Sequence, residues 1–127
     1  MTILLSSKIT AVGPEVAELL EGGVLILFAD GCPPELAEVS VSHLVAKALK
    51  STRPKPGDQV RIGTIKAKIT AVGDLAWDKV TEMGHVVINF GGSDVAERPG
   101  EICAAPVDTA QLLNLLKPGE TIAIETF

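Results

Sequence analysis

Lys8-Ile-Thr-Ala-Val-Gly13 returns letter for letter, 60 residues on, as Lys68-Ile-Thr-Ala-Val-Gly73. Internal repetition of this kind bounds the architecture before any local propensity is considered. Two further pairs follow in the same order at a spacing of 62. Val24-Leu-Ile-Leu-Phe28 answers Val86-Val-Ile-Asn-Phe90, and Lys55-Pro-Gly-Asp-Gln-Val-Arg-Ile-Gly-Thr64 answers Lys117-Pro-Gly-Glu-Thr-Ile-Ala-Ile-Glu-Thr126. Three ordered matches read as a duplicated unit, with halves at roughly 1–64 and 65–127 of one domain. Two copies are too few for a solenoid, which needs at least about three to bury a continuous core. They suit a pseudo-symmetric closed sheet in which each half completes the other.

Working outward, segments 3–11, 23–29, 58–64, 66–72, 85–90 and 120–126 are short, rich in Ile, Val and Thr, and bounded by Gly, Pro or Asp. Gly63-Thr64 offers a hairpin turn, and the stretch from Lys66 to Val72 alternates polar and apolar as a half-buried strand does. Helical signals are few. They cover Pro14 to Leu20, Asp74 to Met83, and Asp108 to Leu116, the last with an Asp cap and a Lys-Pro-Gly stop. The predicted class is mostly β: a small closed β-barrel of two duplicated halves with a few short helices. Closure removes exposed strand edges, which this many short apolar strands would otherwise present.

Composition narrows the function. The chain has 127 residues, 46% of them hydrophobic and 21% charged, and its net charge is -5. The apolar content excludes a disordered chain. An acidic balance with one Trp and no Tyr argues against nucleic-acid binding, which needs a basic footprint and stacking surfaces. No apolar run approaches the roughly 18 residues of a membrane span, and the N-terminus lacks a basic start and secretory core. Cys32 and Cys103 stand apart in no metal-ligand spacing, so a cytoplasmic protein with two reduced thiols is predicted. Two histidines without a carboxylate or thiol array predict no metal site.

Of these, His43 lies near the end of an apolar alternation, Val39, Val41, His43 and Val45, after a short turn of helix at 34–37. A helical reading of the same stretch stays open. At the spacing of 62 its counterpart is Ala105, so the second half has no equivalent histidine. His85, whose counterpart at that spacing is Gly23, opens a later strand. From residues alone, each histidine reads either as a satisfied core side chain or as a reactive group. Asp30, Glu35 and Glu38 could orient the His43 ring, or could line a solvated loop. No nucleophile elbow, phosphate-binding Gly-rich loop or His-Glu-x-x-His is present, and Gly91-Gly92-Ser93-Asp94 reads as a turn.

The string Phe28-Ala-Asp-Gly31-Cys-Pro33-Pro-Glu-Leu36-Ala-Glu38 followed by His43 resembles the phosphohistidine segment of glucitol/sorbitol-specific IIA proteins of the sugar phosphotransferase system. Ile9 to Gly13, Thr70 to Gly73, Gly84 to Phe90, Pro99-Gly100 and Ala105-Pro106-Val107 resemble the same family in order, over nearly the whole chain. The resemblance implies a small duplicated β-barrel that carries a phosphoryl group on His43. It implies phosphorylated HPr as donor and a cysteine of IIB as acceptor, serving the IIC transporter, with no cofactor and no insertion of this chain into the membrane. His85 falls in the family's Gly-His-Val segment, as a candidate support for the phosphorylated ring. The family tends to have more polar residues after the histidine, whereas Leu44, Val45 and Ala46 follow here.

The implied chemistry suits an imidazole, which is nucleophilic when neutral and a good leaving group when N-phosphorylated. Ser42 and Ser40 are the nearest hydroxyls in sequence to hold phosphoryl oxygens, and a carbonyl or carboxylate should hold the other ring nitrogen. This reading expects a ring nitrogen that faces solvent in a shallow apolar depression. Two alternatives remain from the sequence. One is a non-catalytic regulatory or ligand-binding barrel, and the other a small hydrolase using His43 with Glu38.

Overall fold

The computed structural model describes all residues, 1–127. Eight strands carry the fold: β1 Thr2–Val12, β2 Val24–Ala29, β3 Val41–Ala48, β4 Gln59–Ile62, β5 Ile65–Val72, β6 Val86–Asn89, β7 Glu101–Ala104 and β8 Thr121–Thr126. Four short helices connect them: α1 Val16–Glu21, α2 Pro34–Ala37, α3 Ala76–Met83 and α4 Thr109–Leu115. The strands close into a barrel in the order β1-β3-β2-β6-β7-β5-β4-β8. Exchanging β1–β4 with β5–β8, and reading the ring backwards, returns the same order. β4 pairs only with β5 and β8, so the first half cannot complete its own sheet.

Period-two alternation sends Leu5, Ser7 and Ile9 of β1, and Ala67, Ile69 and Ala71 of β5, to buried positions. One continuous cluster of 24 buried apolar residues fills the interior and the space beneath the helices. Local signals place the helix ends. The Asp108 carboxylate accepts from the N–H groups of Ala110 and Gln111 at the start of α4. Gly84 takes the left-handed conformation that closes α3, and its N–H donates to the Val80 carbonyl.

Both copies of the opening hexapeptide end in the same contact. The Gly13 N–H donates to the Ser40 carbonyl, and the Gly73 N–H donates to that of Glu101. A Cβ on Gly13 would stand 2.2 Å from the Ala37 carbonyl oxygen, and one on Gly73 would stand 2.3 Å from that of Pro99. Glycine is required there because two backbones meet, not because of φ.

The structure adds β7 to the strands read from sequence. Its four residues are all buried, so it shows no alternation, and it includes Glu101. β3 begins at Val41 rather than Val39, because 38 and 39 form the turn that follows α2. The pairing also corrects the register between halves. Ile9 faces His43 on β3, and Ile69 faces Ala104 on β7. The counterpart of His43 is therefore Ala104, not Ala105, and Gly84, not His85, answers Gly23. The second half carries one extra residue between its first two strands and another between its last two, so a single spacing cannot serve throughout.

Candidate functional site

β3 lies between β1, antiparallel, and β2, parallel, with Ile9 and Ala29 opposite His43. Its backbone is pinned there, since the His43 carbonyl accepts from the Asp30 N–H. Alternation turns Val41 and His43 into the barrel and leaves Leu44 outside, 63% exposed. The imidazole is held at both ends. Nε2 stands 2.7 Å from the Gly84 carbonyl oxygen and Nδ1 stands 2.7 Å from the Ser7 hydroxyl. A carbonyl only accepts, so the ring proton sits on Nε2 and the lone pair of Nδ1 accepts from Ser7.

Burial pushes the His43 imidazole below its ordinary value of 6.5, against the pull of the Gly84 hydrogen bond, which raises it. The ring is therefore neutral at physiological pH. Between the lowered folded value and 6.5, the unfolded chain binds a proton that the folded chain does not. Stability from this group is complete above the unfolded value and is lost as pH falls through that window. Wild type is expected to lose more melting temperature than His43→Gln between about pH 7.5 and about pH 5.5. Equal losses in a thermal melt would contradict the assignment.

Other candidates fall elsewhere. The His43 and Ser7 side chains are each 1% exposed, so the ring does not present a nitrogen to solvent in an open depression. His85 is half-buried; its Nδ1 donates to the Leu27 carbonyl at 3.2 Å, and its ring lies 4.8 Å from that of Phe28. It makes no hydrogen bond to His43; its neighbour Gly84 does. Ser42 lies on the opposite face of β3, and Ser40 precedes the strand with its buried hydroxyl unpartnered. Neither hydrogen-bonds the ring. Asp30 accepts from the Thr10 hydroxyl, while Glu35 and Glu38 are exposed, so no carboxylate orients the imidazole. That removes the geometry a hydrolase pairing His43 with Glu38 would need.

Cys103 is buried, and burial together with Glu101 pushes its thiol up to about 11. A cavity of about 840 Å³ lies over the end of β5, between 53–56 and 94–99, and does not include His43. No helix is long and apolar enough to cross a membrane.

Ser7 is the site residue that the sequence reading missed. Its counterpart is Ala67, just as that of His43 is Ala104, whereas Gly84 is answered by another glycine, Gly23. Both polar members of the contact lie in one half, and alanine stands at the two matching positions of the other. The signal was in the repeat, since Ser7 directly precedes the hexapeptide and Ala67 directly precedes its copy.

The chain is similar to known proteins over nearly all of its length. The family model of the PTS system glucitol/sorbitol-specific IIA component matches residues 4–123. The PTS system glucitol/sorbitol-specific EIIA components of Shigella flexneri and Escherichia coli (strain K12) are each 32% identical over 127 residues. Each alignment covers 99% of this chain and 98% of the relative. The crystal structure of a PTS system IIA component from Enterococcus faecalis V583 superposes with a TM-score of 0.69 over 95% of this chain and 99% of that one. At 17% identity that likeness speaks for the barrel alone. The family match and the relatives settle the rest: the chain belongs to the glucitol/sorbitol-specific IIA components of the phosphotransferase system.

Proposed function

We propose that residues 1–127 form one cytoplasmic phosphocarrier domain whose His43 takes a phosphoryl group from phosphorylated HPr and gives it to a cysteine of IIB, upstream of the IIC transporter, during glucitol/sorbitol uptake. The observation that carries this reading is a neutral imidazole with a fixed tautomer, paired with a hydroxyl, on one side only of a barrel with repeated halves. The same strand order under exchange of halves supports an origin by duplication, after which one half kept or gained the polar pair.

In the forward step a ring lone pair attacks phosphorus. The phosphorus–nitrogen bond to the donor histidine breaks, and its electron pair returns to the donor ring. In the onward step a thiolate sulfur attacks phosphorus, and the pair of the breaking bond returns to His43. Both are loose transfers, in which positioning and stabilisation of the equatorial oxygens supply most of the catalysis. A ring that is 1% exposed cannot meet a partner in the closed fold. Charging therefore requires local opening around His43, of the kind that short, loop-flanked segments undergo below the global unfolding energy.

That same burial favours a second reading, a regulatory barrel in which His43 is structural. Discharge separates the two. Incubated with phosphoenolpyruvate, the general phosphotransferase enzymes and HPr, the chain should gain about 80 Da. On addition of IIB it should lose that mass to IIB, and an IIB lacking its acceptor cysteine should leave the chain charged. A chain that stays unmodified while HPr is charged, or that keeps its phosphoryl group when wild-type IIB is added, would contradict the carrier reading.

A further inference from the structure

We propose that α3 is the gate of this carrier, closing over His43 beside the end of β2 and uncovering the ring when it lifts; the inference rests on His43 being the carrier. Helix and ring are joined directly. Gly84 ends α3, and its carbonyl oxygen accepts the Nε2 proton at 2.7 Å. The same peptide is tied back into the helix, since the His85 N–H donates to the Lys79 carbonyl. Moving α3 therefore withdraws the carbonyl from the ring. Nδ1 keeps its partner meanwhile, because the Ser7 hydroxyl belongs to β1. That hydroxyl accepts as well as donates, so the ring proton can pass to Nδ1 and leave a lone pair on the uncovered Nε2.

The two halves support their corresponding helices differently. α1, the counterpart of α3, is backed by α4, whose Ala110 and Leu113 line a small hollow with Ala17 and Leu20. α4 stands between β7 and β8, whereas the matching segment between β3 and β4, 49–58, forms no helix. Beside α3 there is instead the cavity of about 840 Å³, bounded by Asp74 and Trp77 on one side and by 53–56 and 94–99 on the others. Two polar ties join α3 to 49–58. The Trp77 Nε1–H donates to the Leu49 carbonyl, and Arg53 pairs with Asp78 through side chains that are 55% and 42% exposed. An ion pair that exposed contributes little. α4 also starts on the Asp108 cap, while α3 starts at Leu75 with no side-chain cap. The helix over the ring is thus the less supported of the two, with space beside it, and such segments open below the global unfolding energy.

The test pins α3. A Cβ on Gly100 would stand 3.3 Å from the Lys79 Cδ, so Lys79→Cys with Gly100→Cys can be bridged by a short bis-methanethiosulfonate, which a reductant removes. Cys32→Ser in every bridged protein leaves only Cys103, which is buried with its thiol pushed up to about 11. The control bridges α1 to α4 through Glu21→Cys and Ala110→Cys, which line one hollow. With bridging confirmed by mass, the α3 bridge should slow charging from phosphorylated HPr by at least about 30-fold. Reductant should restore the rate to within about threefold of the unbridged protein, and the control bridge should change it by less than about threefold. Acylation of His43 by diethyl pyrocarbonate, which needs no partner, should slow in the same way, with His85 as the internal reference. A pinned protein that charges and is acylated at the unbridged rates, or equal slowing by the control bridge, overturns the inference. Slowed acylation with no charging in any protein, wild type included, overturns the carrier reading instead.

Discussion

Gly13→Ala is expected to lower the melting temperature by about 10 °C, corresponding to a loss of about 3 kcal/mol. The added methyl would stand 2.2 Å from the carbonyl oxygen of Ala37 and 2.3 Å from that of Glu38. Both atoms are backbone, so no rotamer change relieves the contact, and the segment from α2 into β3 must move. Gly73→Ala meets the carbonyls of Pro99 and Arg98 at 2.3 and 2.5 Å and should cost about as much. The two should part in function. Displacing 37–40 shifts the strand that presents His43, so Gly13→Ala should also charge more slowly per folded molecule. Displacing 98–99 leaves β3 alone, so Gly73→Ala should not. Gly22→Ala is the control, because its Cβ would meet nothing closer than 3.5 Å and its φ of -85° suits any residue. Thermal melts checked by circular dichroism decide the matter, and a Gly13→Ala protein as stable as Gly22→Ala would contradict the close approach.

His43→Gln should abolish phosphoryl acceptance, at least about a thousandfold, with the fold intact. A Gln amide can donate to the Gly84 carbonyl through its nitrogen and accept from Ser7 through its oxygen, so neither buried partner is orphaned. It has no nucleophilic nitrogen to offer phosphorus. The pair of outcomes, a native melt with no added mass, separates loss of chemistry from loss of structure. A native His43→Gln protein that still takes up a phosphoryl group at the wild-type rate would place the carrier elsewhere.

Much of the barrel was legible because its information is local. The hexapeptide copies, the alternation of Lys66 to Val72, the Gly63-Thr64 hairpin and the Asp108 cap are each written within ten residues or fewer. β7 was not legible. A strand buried on both faces between β5 and β6 has no period to show, and Glu101 within it looks like loop. The exchange symmetry was visible in outline, but its register was not. Only one of the two extra residues of the second half precedes β7, so the counterpart of His43 is Ala104 and not Ala105, and only pairing reveals this.

For the site, the sequence pointed to the histidine and misjudged its company. Ser40 and Ser42 were favoured for proximity along the chain, yet period-two geometry sends Ser42 away from the ring. The groups that touch His43 come from 36 residues before it and 41 after it, and one of them is a backbone carbonyl that no residue type advertises. Burial of the ring was equally hidden, because it depends on closure of the barrel.

The most direct test of His43 as carrier is peptide mapping of the intact chain after charging with phosphoenolpyruvate, the general phosphotransferase enzymes and HPr, with an alkaline quench. One group of about 80 Da should appear on His43 and be lost on acidification. An adduct on His85 or any other residue, or an unmodified chain beside fully charged HPr, would contradict the account.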